Sequence, residues 1–308
     1  MDFSTLFHNL PISFGSNLTH KIGNPPKLKS HRCFCFWSDL LGFGEMLQLN
    51  SWNLNHRQKR KIYDRLKVAH SAALYYSSFE ERNLILNDGI AKVFQPKNRF
   101  YDKSNLTSIS LYFRSCIKLH MSINKTEQEN NYPGCRSVLA FGENIEYLAD
   151  EIRLDDWVIN YSKPKESRIS DWAKSAGNPI VIYNPKELQM NTAFSKAFLL
   201  ENGGTKAGLS GNHFYLDKSV IDAIAKYAKR ESYELVWKET SDELFLFVTK
   251  YKTDIDNVIM GFCFNNIRIE PTIDKYKTTV YRLRKFYPHD ENPNEFCFDI
   301  DKFSDYNV

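Results

Sequence analysis

Apolar and polar positions change their spacing several times along the first hundred residues, and each spacing predicts an element. A run rich in β-forming residues over 32–39 predicts a strand that is buried on both faces. Apolar residues at helical spacing over 45–76 predict helical structure, with an Asn-rich break near 51–55. Two apolar runs within 83–94 flank an Asn-Asp-Gly tripeptide, which predicts a β-hairpin because these residues tolerate positive φ.

The next two elements complete the order of a known fold class. Apolar residues recur at helical spacing over 105–122, and a Pro-Gly pair then precedes a strand predicted over 136–142. The order strand, helix, hairpin, helix, strand is that of a ferredoxin-like βαββαβ domain. The sequence therefore predicts an α+β fold with a ferredoxin-like core.

The rest of the chain adds a strand, a helix and a β-rich tail. A strand is predicted over 178–183 and a helix over 185–201, which ends before the glycine pair expected past a helix C-terminus. Further strands joined by polar turns are predicted over 233–237, 243–250, 258–269 and 278–284. We divide the chain into an irregular lead-in (1–30), a core domain (31–230) and a β-rich extension (231–308). Whether the extension joins the first sheet or forms its own module is left open.

Composition narrows the class of protein. Hydrophobic residues make up 42% and charged residues 25% of the 308-residue chain, with a net charge of +4, as in soluble globular proteins. Six cysteines occur without a Cys-x-x-Cys pair, so we expect buried thiols in a reducing cytosol rather than a zinc site. We expect a cytoplasmic protein with no signal peptide, no membrane span and no nucleic-acid partner, since the basic run 56–61 is typical of a solvated helix face.

Two aspartates occupy positions that a ferredoxin-like sheet would bring together. Asp39 ends the first strand just before a glycine-containing turn, and Asp88 lies at the hairpin tip. In this topology the first strand lies beside the hairpin strands, so the two carboxylates can converge. Two carboxylates next to free backbone N–H groups suit two hard divalent cations and a polyphosphate. Either aspartate alone is more typical of a turn or cap residue, so the hypothesis depends on the pair.

A sequence motif surrounds the first of these aspartates. The run Phe36-x-x-Asp39-Leu40-x-Gly42-Phe43 resembles the metal-binding signature of the class III nucleotidyl cyclases. In that family a second metal-binding aspartate lies on a β-hairpin at a similar separation, and Asp88 follows Asp39 by 49 residues (39 to 88). The resemblance covers roughly residues 30 to 216, about three fifths of the chain. It implies a cyclase that acts on a nucleoside triphosphate.

The resemblance also implies residue roles. Both aspartate side chains and the Leu40 carbonyl would bind two ions, Mn²⁺ or Mg²⁺. Phe36 would lie near the nucleotide, and the enzyme would be a head-to-tail homodimer with its site at the interface. The backbone of the turn after the first strand would hold the triphosphate, and its residues are Leu40, Leu41, Gly42, Phe43 and Gly44.

The transition-state residues of the family come from a later helix of the partner subunit, where an Asn is followed four residues later by an Arg. Asn191 matches the Asn, but Ser195 occupies the Arg position. Lys196 would have to replace the arginine as a catalytic residue, although lysine lacks the planar fork of donors. Lys206, in the glycine-rich turn that follows, is a further candidate to reach the phosphates.

The base-recognition positions depart from the purine cyclases. These positions hold Leu84 and Asn184, and a leucine cannot hydrogen-bond adenine or guanine. The chain is more similar to the pyrimidine cyclases of bacterial Pycsar antiphage defence, which implies UTP, or else CTP, as substrate. It also implies a separate effector protein that the cyclic product activates. A catalytically weak nucleotide-binding scaffold of the same fold stays open, as does a diguanylate cyclase or polymerase relative.

Overall fold

The computed structural model describes the chain in segments. The described residues are 29–49, 51–78, 80–96, 105–146, 158–160, 180–182, 188–250, 258–273, 275–288 and 297–303. The helices are α1 (Phe43–Gln48), α2 (His56–Tyr75), α3 (Asn105–Glu129), α4 (Thr192–Gly203) and α5 (Lys218–Arg230). The strands are β1 (Lys29–Leu40), β2 (Glu81–Leu86), β3 (Gly89–Phe94), β4 (Cys135–Glu146), β5 (Val158–Asn160), β6 (Ile180–Ile182), β7 (Phe214–Asp217), β8 (Glu234–Glu239), β9 (Glu243–Thr249), β10 (Val258–Asn265), β11 (Thr272–Ile273), β12 (Tyr276–Lys277), β13 (Val280–Tyr287) and β14 (Phe298–Asp299).

The first strand lies at the centre of a ferredoxin-like sheet. β1 pairs antiparallel with β3 on one side and with β4 on the other, and β2 pairs with β3. The resulting order is β2-β3-β1-β4. α1 and α2 connect β1 to β2, and α3 connects β3 to β4. This is the βαββαβ topology, so the predicted α+β fold is confirmed.

The β-rich extension continues the same sheet. β7 pairs parallel with β4, and β13 pairs antiparallel with β7. β10, β9 and β8 then follow in that order, so the described part of the chain forms a ten-stranded sheet with β14 beside β13. All four residues of β7 are buried, and one hydrophobic core contains residues from both halves. The tail therefore adds to the first sheet, which answers the question that the sequence left open.

Different helices cover the two faces of β1. Phe34 and Phe36 point to one face and share a core with residues of α2, α3 and α5. Trp37 points to the other face, where its ring contacts Phe194 and Phe198 of α4. Residues 33–38 are all buried, which confirms the prediction of a strand buried on both faces.

Polar caps set the first residue of two helices. The helical region 45–76 is interrupted near residues 51–55, as predicted: α1 ends at Gln48, and Asn55 and Gln58 form a reciprocal capping box that starts α2. α1 is six residues long. α4 begins at Thr192 rather than near residue 185, because the Asn191 side chain accepts a hydrogen bond from the Phe194 N–H and caps the helix there.

The predictions made from composition concern the surface and the thiols. The basic run 56–61 is largely exposed on the first turns of α2, as predicted for a solvated helix face. All six cysteines are free, and five of them are buried. Within the described segments, no helix combines the length and the apolar character needed to cross a membrane.

Candidate active site

Strand pairing brings Asp39 next to the β2–β3 hairpin. Asp39 is the penultimate residue of β1, and it stands opposite Gly89 of β3 and Arg136 of β4. Asp88 immediately precedes Gly89 in the hairpin turn. The two aspartates therefore lie at the same end of the sheet, where the topology predicted that they would converge.

The hairpin turn is held in place from two directions. Asn87 adopts the left-handed conformation with φ +58°, and its side-chain amide donates to Asp88 Oδ1 at 3.0 Å. The His70 Nε2 of α2 donates to the Asn87 carbonyl at 2.9 Å. Below the turn, the Trp37 indole occupies the space that a β-carbon on Gly89 would need. These contacts fix the position of Asp88 relative to β1.

The Asp39 carboxyl lies in an unfavourable environment for its charged form. Burial, together with the nearby charges of Glu201 and Asp88, raises the pKa of Asp39 to about 7, although the Arg136 guanidinium acts in the opposite direction. Glu201 belongs to the last turn of α4 and is 5% exposed. Its carboxylate accepts hydrogen bonds from Arg136 Nη2 at 2.8 Å and Nε at 3.1 Å. Three carboxylates and one guanidinium therefore share this end of the sheet.

The donor set suits a hard divalent cation. Mg²⁺ and Mn²⁺ prefer carboxylate and carbonyl oxygens, and a bound cation would offset both the burial and the repulsion that raise the Asp39 pKa. Among the described residues, no three His, Cys, Asp or Glu side chains are grouped closely enough to form a metal site on their own. Asp39 and Asp88 could therefore supply only part of a coordination shell, and phosphate and water oxygens would complete it.

The raised pKa predicts how stability depends on pH without metal. Because Asp39 keeps its proton up to about pH 7 when folded but only to its ordinary value near 3.8 when unfolded, stability should fall as pH rises between these values. We expect a loss of roughly 1–2 kcal/mol, since the group is partly solvated. Asp39→Asn should not show this loss of stability when urea unfolding is measured in EDTA at pH 5 and pH 8. Identical pH dependence in wild type and variant would contradict the assigned environment.

The turn after β1 is rigidly connected to its surroundings. The Leu41 N–H donates to the Gly134 carbonyl at 2.8 Å, and the Leu41 carbonyl accepts from Arg65 Nη2 at 3.0 Å. Gly42 has φ +67°, a conformation that favours glycine. Leu40 and Phe43 are 3% and 2% exposed, so their side chains pack in the core and only backbone groups remain for a ligand. Gly44 is exposed, and its missing side chain leaves open space.

The two residues expected to act in catalysis have structural contacts in this chain. Asn191 is 1% exposed, and its carboxamide oxygen caps α4 and accepts from the Cys33 thiol at 3.6 Å. The Lys196 ammonium donates to the Phe141 carbonyl at 3.0 Å. Asn191 therefore acts as a buried helix cap in this chain, and its expected catalytic role stays a prediction. Lys196 is half-buried along β4, and its expected catalytic role stays a prediction.

The side chains expected to contact the nucleotide lie in different parts of the structure. Phe36 is fully buried against Phe214, and its expected nucleotide contact stays a prediction. Leu84 is 8% exposed and packs in the cluster that contains Trp37. Lys206 is exposed on the short 3₁₀ turn after α4. Asn184 lies outside the described residues.

Sequence reasoning missed Glu201 and Trp37. Glu201 is an acid in the last turn of an apolar helix, where the negative end of the helix dipole disfavours it. This unfavourable placement was the signal in the sequence that Glu201 belongs to the site. Trp37 shares a face of β1 with Asp39 because the two are two positions apart along the strand. Its indole N–H is buried and has no hydrogen-bond partner within the described structure. Arg136 forms an ion pair with Glu201, with Nη2 and Oε1 2.8 Å apart.

Comparison with known proteins adds a likeness of fold. No protein-family model matches the sequence, and no curated protein matches it. Solved cyclases are among the structural neighbours. The guanylyl cyclase Cya2 aligns at 9% identity with a TM-score of 0.40, covering 86% of this chain and 95% of the other. The adenylyl cyclase CyaB from P. aeruginosa aligns at 10% identity with a TM-score of 0.38, covering 83% of this chain and 95% of the other. TM-scores this low carry no conclusion about activity.

Proposed function

We propose that this protein is a nucleotide cyclase that depends on divalent cations and converts a nucleoside triphosphate to its 3′,5′-cyclic monophosphate and pyrophosphate. The observation that carries the proposal is the meeting of Asp39 and Asp88 at one end of a ferredoxin-like sheet. The raised pKa of Asp39 adds support, because perturbed carboxyl groups that gather in one place are typical of functional sites.

The residues of the site have separate tasks in this reaction. Asp39 and Asp88 would hold the cations, and the Leu40 carbonyl would add an oxygen ligand. Divalent cations at such a site favour ionisation of the attacking hydroxyl and neutralise charge on the phosphates. The backbone of residues 40–44 would position the triphosphate. The 3′ oxygen forms a bond to the α-phosphorus while the bond to the pyrophosphate oxygen breaks, and the hydroxyl proton passes to solvent.

We further propose a pyrimidine substrate, with UTP ranked ahead of CTP. Leu84 occupies a base-recognition position and packs beside Trp37 and Ala91 in an apolar cluster. It offers no group that could hydrogen-bond a purine. The resemblance to Pycsar cyclases supports a role in antiphage defence, in which cyclic UMP activates a separate effector protein.

The proposal includes a homodimer. Phe198 of α4 and Leu86 of β2 are 43% and 40% exposed. Phe198 contacts Trp37, and Leu86 shares the sheet face of Leu84, so both lie on the side of the sheet that α4 covers. A second copy of the chain would remove this apolar surface from water. Sedimentation of the purified protein measures its mass and tests this part directly.

The activity is tested by incubating the purified protein with each of the four NTPs and Mn²⁺ or Mg²⁺. We expect a cyclic mononucleotide from UTP or CTP and none after addition of EDTA. Product with none of the four would contradict the enzymatic proposal. A dinucleotide product would instead favour a diguanylate cyclase.

A nucleotide-binding scaffold is the second candidate. It is favoured by the engagement of Asn191 as a helix cap and of Lys196 with the Phe141 carbonyl. A scaffold would bind nucleotide in the presence of Mn²⁺ without turnover, so calorimetric binding measured beside the activity assay separates the two candidates.

A further inference from the structure

A buried arginine lies beneath the turn that follows Asp39. The Arg65 side chain of α2 is 1% exposed, although arginine is rarely buried unless it is paired. Its partner is Glu127 of α3, whose side chain is 2% exposed. Arg65 Nε donates to both carboxylate oxygens of Glu127, at 3.0 and 3.1 Å. The pair joins α2 to α3, which pack on the face of β1 that carries Phe34 and Phe36.

The same guanidinium contacts the turn through its other donors and its face. Nη2 donates to the Leu41 carbonyl at 3.0 Å, and Nη1 lies 3.3 Å from the Met46 sulfur of α1. The guanidinium carbon is 4.7 Å from the centre of the Tyr132 ring and 5.9 Å from that of Phe43. Arg65 therefore contacts residues on both sides of the turn as well as the segment that precedes β4.

We propose that Arg65 and Glu127 are positioning residues that fix the turn of residues 41–43 in its ligand-binding conformation. This inference rests on the proposed function, because the turn is the segment proposed to hold the triphosphate. Burying an ion pair costs desolvation energy, and an apolar pair of similar size is often as stable. The specific gain here is geometric, since only a planar guanidinium directs its donors to Glu127 and Leu41 at once.

The chain contains a matched pair that serves as a control. Lys92 and Glu81 are 0% and 1% exposed, with Nζ and Oε2 2.8 Å apart. Lys92 also contacts Ser115 of α3 and the Tyr76 carbonyl, and neither belongs to the turn. Replacing the acid of either pair with glutamine leaves the buried cation of that pair without its counter-charge. Only the Glu127 change should affect the turn.

The test compares Glu127→Gln with Glu81→Gln in the full chain. We expect both to lower the urea midpoint, because each leaves a buried cation without its counter-charge. Only Glu127→Gln should raise amide hydrogen exchange at Leu41 of the unliganded protein, whose N–H donates to the Gly134 carbonyl, by roughly tenfold or more. It should also weaken binding of UTP with Mn²⁺, measured by calorimetry, by a similar factor. Arg65→Lys, which keeps the charge but loses the fork, should show the same pattern if Glu127→Gln does not fold.

The possible outcomes separate this inference from the proposed function. Equal exchange of the Leu41 amide in Glu127→Gln and Glu81→Gln would overturn the positioning role. Protection of this amide in Arg65→Lys equal to that in the wild type would also overturn it. If the wild type binds none of the four NTPs, the proposed function fails, while hydrogen exchange still decides whether the pair fixes the turn.

Discussion

Replacing Asp39 or Asp88 with alanine should lower the rate of cyclic nucleotide formation by roughly 10³-fold or more, as when a key electrostatic group is lost from an active site. Each change removes one of two carboxylates that meet at the end of β1. Without it, the site binds the cations more weakly, and less positive charge is available to neutralise the phosphates. The measurement is the initial rate with saturating Mn²⁺ and the preferred nucleoside triphosphate.

A matched carboxylate change shows whether such a loss is specific. Asp222 of α5 is half-exposed and pairs with Lys218 at 2.7 Å, an i,i+4 contact on the helix surface. Asp222→Ala should keep turnover close to that of the wild type, since exposed pairs contribute little. Asp88 lies in a turn and is partly exposed, so Asp88→Ala should remain folded. Turnover near that of the wild type in Asp88→Ala would refute the site.

The second large effect is expected from Gly89→Ala. A β-carbon at this position would lie 2.2 Å from Cη2 and 2.4 Å from Cζ2 of Trp37. The indole cannot withdraw easily, because its ring is held against Phe194 and Phe198 of α4. We expect a loss of about 3 kcal/mol in the free energy of unfolding, at the upper end for overpacking. Urea unfolding followed by circular dichroism measures it.

Two variants control for the general effect of adding a methyl group. Gly44→Ala introduces a β-carbon with nothing within 4 Å, and alanine is the better helix former, so this change should not destabilise α1. In a Trp37→Leu background, Gly89→Ala should cost much less than in the wild type, because the clash is absent. An equal cost in both backgrounds would show that Trp37 is not the obstacle.

Local sequence signals predicted the elements that form the core of the fold. The apolar run of β1, the Asn-Asp-Gly turn of the hairpin and the helical spacing of α3 each report a local preference of the backbone. Together with the order of elements they were sufficient for the ferredoxin-like topology. They also placed Asp39 and Asp88 at one end of the sheet, because strand pairing in this topology leaves few alternatives.

Contacts between distant segments were not predictable in the same way. Asn191 matched a family position, yet its backbone context makes it a helix cap. Glu201 reaches the Asp39 end of the sheet only because α4 packs across β1 and β4. The pairing of Arg65 with Glu127 joins residues 62 positions apart (65 to 127) on separate helices. No periodicity or propensity reports such pairs, since each depends on how helices pack.

The sequence by itself determined the ferredoxin-like core and the position of Asp39 and Asp88 at one end of its sheet, because short-range pattern and topology specify both. Only the tertiary structure decided that the tail extends the same sheet and that Asp39 lies among other acids. Only it showed that a buried ion pair supports the turn after β1. These features depend on side-chain burial and on the distances between segments, which arise when the helices pack onto the two faces of the sheet.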